Sequence, residues 1–550
     1  MNLKYMNLKR GLVTILSVGL VGTVLALAGL NATKYQLSNC TSLSDYLEGS
    51  PCASGSTGVI RTNTTYTPSP IPTLPTRPNI ILIVTDDQRY DTLWAMTNLS
   101  TEVVGKGIKF NNAFVSTPLC CSSRSNILKG QHINKTNCYN NTVCAKNYNP
   151  NEALNTWLYD AGYRTGLFGK YLNGYGLAET SAEPPKWSRW VALAPDFATS
   201  TQTNNYYNYR VIVDGAPAIH PTEYSTDYFA DNLVDFINAS SSEPFFAYFT
   251  PYAPHTPAIP SKVDVCTSTS SISQVYTDMP CTINLMLPWR PPSYNEADVS
   301  DKPSFISQKN LTSEEQAAFS DQFHKDQLSS LLPVDRAIQR IVDTLYKNHK
   351  LNNTIIIFTS DNGLTWGEHR LFDYKPCAYD ECVRVPFVMR IPGIAPRIDS
   401  TNLVENIDLA PTILDLAGVS FPTNANFDGI SLKPAILGQD LLRPEVYNES
   451  LLSGTIAGGW EGDFLSIRNK DMVYTYYPFT DEEELYDLKT DPYQLTNRIS
   501  EPLQTYRAAE LKDKLFEFMA NQGTSLSASR SGGIIRSGIV DKEIIRAAEN

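Results

Sequence analysis

Three apolar runs stand out along the chain: Asn79-Ile-Ile-Leu-Ile-Val-Thr85, Pro244-Phe-Phe-Ala-Tyr-Phe-Thr250 and Thr354-Ile-Ile-Ile-Phe-Thr359. Each is continuous rather than alternating, and each is rich in β-branched or aromatic residues. That is the pattern of a strand buried on both faces, as in a parallel sheet. Between them the period lengthens to that of a helix. It is clearest over Asp335–Leu345, where Ala337, Ile338, Ile341, Val342 and Leu345 recur at helical spacing. Strands alternating with helices predict an α/β fold, a large sheet sandwiched by helices. From about Glu445 the pattern shortens. Phe464–Arg468, Met472–Tyr477 and Glu484–Leu488 read as strands of a smaller antiparallel sheet, followed by a helix near Leu503–Asn521.

The segments outside these runs set the boundaries. Lys4, Lys9 and Arg10 precede an uncharged, mostly apolar run from Gly11 to Leu30 that ends near the small-x-small site Ala26-Leu27-Ala28. This reads as a secretory signal, or as an anchor if left uncleaved; Gly19, Gly22 and Thr23 dilute the apolarity an anchor prefers. Residues 44–78 are rich in Ser, Thr, Gly and Pro, the composition of an extended tether. The organisation expected is therefore 1–30 signal or anchor, 31–78 tether, 79–444 large α/β domain, 445–525 C-terminal subdomain and 526–550 tail, the last partly disordered.

Composition narrows the function. Of 550 residues, 42% are hydrophobic and 19% charged, which excludes a disordered chain, a collagen or a coiled coil. A net charge of −12 argues against nucleic acid, whose binding rests on clustered Lys and Arg. Ten Asn-x-Ser/Thr sequons (Asn31, Asn39, Asn63, Asn98, Asn134, Asn140, Asn238, Asn310, Asn352 and Asn448) fit a secreted or lysosomal/vacuolar glycoprotein. Ten cysteines can be drawn as four local loops, Cys40/Cys52, Cys138/Cys144, Cys266/Cys281 and Cys377/Cys382, one drawing among several that the sequence allows. The adjacent pair Cys120-Cys121 is left over.

The chemistry lies where the strands end. The first run leads into Asp86-Asp87-Gln88 and the third into Asp361-Asn362-Gly363. Ligands of open α/β sheets bind at the carboxyl ends of the strands, so these clusters should converge. Three carboxylates and an amide are hard oxygen donors suited to Ca²⁺ or Mg²⁺. Either cluster alone would equally serve as a turn or helix cap. Between them, Cys120-Cys121-Ser122-Ser123-Arg124 opens a helical pattern that runs through Leu128 and that Ser122 or Ser123 could cap. Arg124 lies one turn after Cys120 and can point back at it. The cysteine then reads as nucleophilic or anion-binding, or as an ordinary buried thiol.

Cys120-Cys121-Ser122-Ser123-Arg124 followed by Leu128-x-Gly130 resembles the sulfatase signature Cys-x-Pro-x-Arg followed by Leu-Thr-Gly. Further matching elements follow in order: Gly169-Lys170-Tyr171-Leu172-Asn173, Pro184-Pro185-x-Trp187, Pro254-His255-x-Pro257, Lys375-x-x-x-Tyr379 before Arg384-Val385-Pro386, and Glu484-Leu485-Tyr486-Asp487-Leu488. The match runs from about Pro78 to Asn497. The doubled cysteine and Lys-Tyr-Leu-Asn resemble the N-acetylglucosamine-6-sulfatase and extracellular sulfatase branch; the family's second histidine falls at Leu172.

The resemblance implies an alkaline-phosphatase-like fold and a sulfuric ester hydrolase of arylsulfatase type. It implies that Cys120 is oxidised to formylglycine by a formylglycine-generating enzyme, and that Asp86, Asp87, Asp361, Asn362 and residue 120 hold Ca²⁺, with Mg²⁺ as the other candidate. Arg124 would favour ionisation of the formylglycine hydrate. Lys170, His255 and Lys375 would hold the sulfate and pass a proton to the leaving alcohol. Asn173 and His369 are candidate substrate contacts, while His132, His220, His324 and His349 are read as surface residues. Ser122 stands where the family has proline, which favours the extended form in which the cysteine is converted. The alternatives are a phosphomonoester or phosphonate hydrolase of the same superfamily, or a silent glycan-binding homologue. The substrate expected is a small sulfate ester or terminal sulfated sugar, since no long basic segment is present to hold a polyanion.

Overall fold

The computed structural model describes residues 74–176, 182–194, 204–216, 219–240, 242–264, 283, 287–452 and 460–522. The signal or anchor, most of the tether, the tail, the Cys40/Cys52 and Cys266/Cys281 loops and the sequons at Asn31, Asn39 and Asn63 lie outside the described residues.

Nine strands form the large sheet: β1 (Asn79–Thr85), β2 (Ile108–Phe110), β3 (Arg164–Lys170), β4 (Arg189–Ala194), β5 (Arg210–Val213), β6 (Phe245–Thr250), β7 (Thr354–Ser360), β8 (Phe387–Arg390) and β9 (Arg397–Asp399). Their order across the sheet is β9-β2-β8-β7-β1-β6-β3-β4-β5. The five strands from β7 to β4 are parallel, and the three apolar runs are its neighbouring centre, β7-β1-β6. Every residue of β1 is buried, as its unbroken apolar run requires.

The principal helices are α1 (Cys120–Lys129), α2 (Ser225–Ala239), α3 (Glu314–Lys347), α4 (Leu409–Ala417) and α5 (Thr505–Asn521). Successive side chains of a strand leave on opposite faces. On one face Ile81 and Ile83 pack with Phe229, Leu233 and Phe236 of α2 and Val334 and Ile338 of α3. On the other, Ile80, Leu82 and Val84 meet Ile127 and Leu128 of α1 and Leu409 and Ile413 of α4. The helical stripe over Asp335–Leu345 is thus the C-terminal third of a 34-residue helix, which starts at a Ser313/Gln316 capping box and carries Pro333 inside. Asp335 accepts from the backbone N–H groups of Asn98 (2.9 Å) and Leu99 (2.8 Å), tying α3 to the short helix Thr97–Glu102.

The smaller sheet has four antiparallel strands in sequence order, β10 (Val446–Ser450), β11 (Phe464–Arg468), β12 (Met472–Tyr477) and β13 (Glu482–Asp487). Leu511 and Leu515 of α5 pack on Leu465, Ile467 and Tyr474. The sequence pattern starts β13 two residues late, because its first residues, Glu482 and Glu483, are polar; pairing of Tyr477 with Glu482 sets the true start. It misses β10, a Val-Tyr-Asn-Glu-Ser segment. That polar strand is buried by stitching to the loop before α1: Asn448 Nδ2 donates to the Val115 carbonyl (2.7 Å) and the Glu449 N–H to the Ser116 carbonyl (2.7 Å).

Several expectations need correction. His132 and His324 are buried rather than exposed (2% and 4% exposed). His132 lies 3.3 Å from Glu449, and His324 packs against Trp366. His220 and His349 are at the surface. Asn98 and Asn448 are buried sequons whose amide nitrogens already donate to backbone carbonyls, so a glycan there is incompatible with this fold. Disulfides Cys138–Cys144 and Cys377–Cys382 are present, and Cys120 and Cys121 are free and buried. Neither Ser122 nor Ser123 caps α1. The helix begins at Cys120 after an extended Leu119, so both serines fall inside the first turn, and the side chain of Asn141 accepts from the Cys121 N–H (3.0 Å).

Candidate active site

Because β1 and β7 pair in parallel with Thr85 beside Ser360, the acidic clusters that follow them emerge side by side. The Asp87 N–H donates to Asp361 Oδ1 (3.0 Å), and the Gln88 N–H donates to Ser360 Oγ (2.9 Å). Asn362 Nδ2 donates to Asp87 Oδ1 (2.6 Å). The turn after β7 is tight: a Cβ on Gly363 would lie 2.0 Å from the Glu381 carbonyl oxygen, so only glycine fits.

Helix α1 enters with its first residue at this edge. Cys120 Sγ lies 3.3 Å from Asp86 Oδ1 and 3.8 Å from Asp87 Oδ1. One turn on, Arg124 is fully buried; its Nε donates to Asp361 Oδ2 (2.8 Å), and its Nη2 is ion-paired with the same oxygen at 2.8 Å. Its Nη2 is also 3.6 Å from Asp86. At the end of β3, Lys170 Nζ donates to Asp86 Oδ2 (2.5 Å). Gly169 before it has φ 124° and lies against Thr250, where any Cβ would meet the carbonyl oxygen at 2.0 Å. Lys375 Nζ reaches Asp87 Oδ1 and Oδ2 (2.9 and 3.0 Å), Cys120 Sγ (2.9 Å) and His255 Nε2 (3.3 Å). His255 Nε2 is 3.5 Å from Asp87. Its Nδ1 lies 2.7 Å from the Thr256 carbonyl, a pure acceptor, so Nδ1 carries the proton and Nε2 presents a lone pair to Lys375.

Nine of the eleven residues singled out in the sequence therefore meet: Asp86, Asp87, Cys120, Arg124, Lys170, His255, Asp361, Asn362 and Lys375. Asn173 and His369 make no hydrogen bond or ion pair with them among the described residues. Asn173 presents its backbone carbonyl to Cys121 Sγ (3.8 Å). His369 is fully buried, with Nδ1 2.7 Å from Glu296 and its ring stacked on Tyr379. Tyr252 carries no chemistry-bearing motif in the sequence, yet its hydroxyl lies 2.8 Å from His255 Nδ1. The sole sequence signal for it is a tyrosine three residues before the histidine in a proline-bounded turn.

Three carboxyl groups, Asp86, Asp87 and Asp361, face three cationic side chains, Arg124, Lys170 and Lys375. Burial raises the Asp86 carboxyl, but Lys170, His255 and Arg124 outweigh it and hold it well below its usual range. Asp361 is pushed up to about 7 by burial and by its neighbour Asp86. Burial and Asp86 also raise the Cys120 thiol far above its usual range, which disfavours a thiolate nucleophile. Burial lowers His255, so it is neutral near pH 7.

The donor set fits a hard divalent cation. One ligand atom each from Asp86, Asp87, Cys120 and His255 lies within 4.8 Å of the others. Asn362 Oδ1 is buried without a hydrogen-bond partner among the described residues, an orphaned oxygen that a cation would satisfy.

An oxygen-rich pocket at the carboxyl edge of an alkaline-phosphatase-like sheet, flanked by one arginine and two lysines, defines a hydrolase of anionic esters. The family model "Sulfatase" matches residues 78–419, and "N-sulphoglucosamine sulphohydrolase, C-terminal" matches 367–521. The N-acetylglucosamine-6-sulfatase of Capra hircus is 31% identical over 469 residues, 76% of this chain and 80% of that one. An arylsulfatase of Volvox carteri is 32% identical over 477 residues, 76% of this chain and 71% of its own. A solved structure holding its substrate D-glucosamine-2-N,6-O-disulfate superposes with a TM-score of 0.64 at 24% identity, covering 81% of this chain and 98% of that one. The chain belongs to the sulfatase family and is a sulfuric ester hydrolase, in a family that is typically metal-dependent.

Proposed function

We propose that this chain releases inorganic sulfate from a small sulfate ester or terminal sulfated sugar, with the chemistry centred on position 120. The observation that carries the reading is the convergence on Cys120 Sγ of Lys375 Nζ at 2.9 Å and Asp86 at 3.3 Å, within a pocket that Arg124 and Lys170 complete. Formylglycine made from Cys120 by a formylglycine-generating enzyme would supply the hydrated-aldehyde nucleophile. Asp86, Asp87, Asp361, Asn362 and position 120 would hold Ca²⁺, or Mg²⁺, whose positive charge would polarise the sulfate oxygens.

The remaining work belongs to the protein's side chains. Arg124, fixed by Asp361, keeps a positive charge one turn behind residue 120. Lys170 and Lys375 neutralise charge on the sulfate oxygens from largely buried positions. His255, neutral and held by the Thr256 carbonyl, stands beside Lys375, and the pair can pass a proton to the leaving alcohol. A maturation step through the secretory pathway, towards the cell exterior or a lysosome, agrees with the two disulfides and with extracellular sulfatases among the relatives.

Mass spectrometry of the peptide containing residue 120, from secreted protein, tests the reading alongside sulfate release. Formylglycine at 120, with release abolished in Cys120→Ala, is expected. An unmodified thiol throughout an active preparation overturns the nucleophile. Faster turnover of an aryl phosphate than of the aryl sulfate would favour the phosphoester alternative.

A further inference from the structure

The rim of the pocket carries an acidic residue that the chemistry above does not use. Asp373 is exposed and stands two residues before Lys375, on the strand Phe372–Tyr374 that pairs with Thr365–Trp366 after the Asp361-Asn362 turn. Its Oδ1 accepts from Thr256 Oγ1 at 3.0 Å. Thr256 is the residue whose carbonyl orients His255. Asp373 therefore bridges the two segments that bring Lys375 and His255 to Cys120. Burial raises its carboxyl above the usual range, while the Thr256 hydrogen bond lowers it and Asp87 and Lys375 act on it with opposite signs, as expected of a group beside the same site. Its backbone φ is 45°, a left-handed conformation that aspartate tolerates better than most residues and that tends to be retained at functional sites. Among the described residues, Oδ2 has no hydrogen-bond partner.

We infer that Asp373 is a specificity-determining residue whose free carboxylate oxygen accepts hydrogen bonds from the hydroxyl groups of a sugar carrying a single sulfate. The inference rests on the sulfatase reading and names the substrate class within it. A sulfate held by Lys170 and Lys375 leaves its alcohol pointing outwards, past the rim. A carboxylate there can accept from sugar hydroxyls, which an aryl group does not offer. The same negative charge repels a second sulfate on the ring, because like charges brought together at a binding site oppose binding. The rim thus selects a neutral polyhydroxy ring over both an aryl sulfate and a polysulfated sugar. Asparagine at 373 keeps an oxygen for the Thr256 hydroxyl while removing the charge, so Asp373→Asn isolates the charge from the fold.

The test compares the wild-type full chain with Asp373→Asn on three sulfates: N-acetylglucosamine 6-sulfate, glucosamine 2-N,6-O-disulfate and p-nitrophenyl sulfate. The wild type should prefer the monosulfated sugar in kcat/KM. In Asp373→Asn the KM for that sugar, relative to the aryl sulfate, should rise about tenfold with kcat nearly constant. The preference for the monosulfated over the disulfated sugar should shrink by a similar factor. Equal ratios among the three substrates in both proteins would overturn the inference. Calorimetric titration of the same sulfates into Cys120→Ala, with and without Asp373→Asn, reads the ranking without turnover. A retained, charge-dependent ranking together with a wild type that releases no sulfate from any of the three would sink the reaction and keep the rim, whereas an absent ranking sinks the rim.

Discussion

Lys375→Met is the most informative single change at the site. The substitution keeps the apolar stem of the lysine and removes an ammonium that touches Asp87, Cys120 Sγ and His255 Nε2 at once. A sulfate bonded at residue 120 must come within about 4 Å of that nitrogen. Two unit charges at about 4 Å and an effective dielectric of about 20 interact by about 4 kcal/mol. Spreading the sulfate charge over three oxygens reduces this, and the loss expected for removing one preorganised donor is about 10²–10³ in rate. The lysine side chain is 16% exposed, so solvent screening removes little of the effect. The assay is kcat and KM for sulfate release, corrected for the formylglycine fraction in each preparation by peptide mass spectrometry. The drop should fall mainly on kcat, because charge builds on the leaving oxygen in the transition state. A kcat/KM within threefold of wild type, at equal conversion, would refute the role given to Lys375.

Three further outcomes follow from the same geometry. Ser122→Pro should raise the converted fraction of Cys120 with little change in melting temperature, because residue 122 lies in the first turn of α1, where the N–H has no intrahelical acceptor; a strongly lowered melting temperature or an unchanged fraction counts against it. Glu484 accepts from the hydroxyls of Tyr379, Tyr477 and Tyr486 at 2.9, 2.6 and 2.5 Å, so Glu484→Leu leaves three buried phenols unpaired and should cost about 3 kcal/mol or more, with Glu484→Gln costing less; denaturant midpoints check the order. Burial pushes Asp335 up to about 6, above its unfolded value of about 3.9, so it adds stability below about pH 4 that is lost as pH rises through 6. The stability of the wild type relative to Asp335→Asn should therefore fall by about 3 kcal/mol between pH 4 and pH 7, and a pH-independent difference would rule this out.

The parts of the site legible in sequence are those tied to local pattern. A buried parallel strand shows itself as an unbroken apolar run, and the polar residues just past its end lie at the ligand-binding edge whatever the rest of the chain does. Asp86, Asp87, Asp361 and Asn362 could be found in that way. Lys170, His255 and Lys375 carry no such signal by themselves and were legible only through the ordered resemblance. His369 lies eight residues after Asp361, yet it is buried against Glu296 and Tyr379. No local pattern announces that displacement, which comes from the packing of Glu296 and Tyr379 around it.

By itself, then, the sequence determined the strand-forming runs, the α/β class, the acidic strand ends and the order of the sulfatase motifs. These depend on period, composition and short spacings, which are properties of neighbours in the chain. The tertiary structure decided the rest: the start of α1 at Cys120, the buried places of His132 and His324, the use of polar β10 to brace the loop before α1, and the bridge from Thr256 to Asp373 at the rim. The last two join segments more than a hundred residues apart, the histidines turn on which groups are desolvated, and the helix start is braced by the Asn141 contact to the Cys121 N–H; such contacts are set by the packing of whole elements rather than by any one stretch.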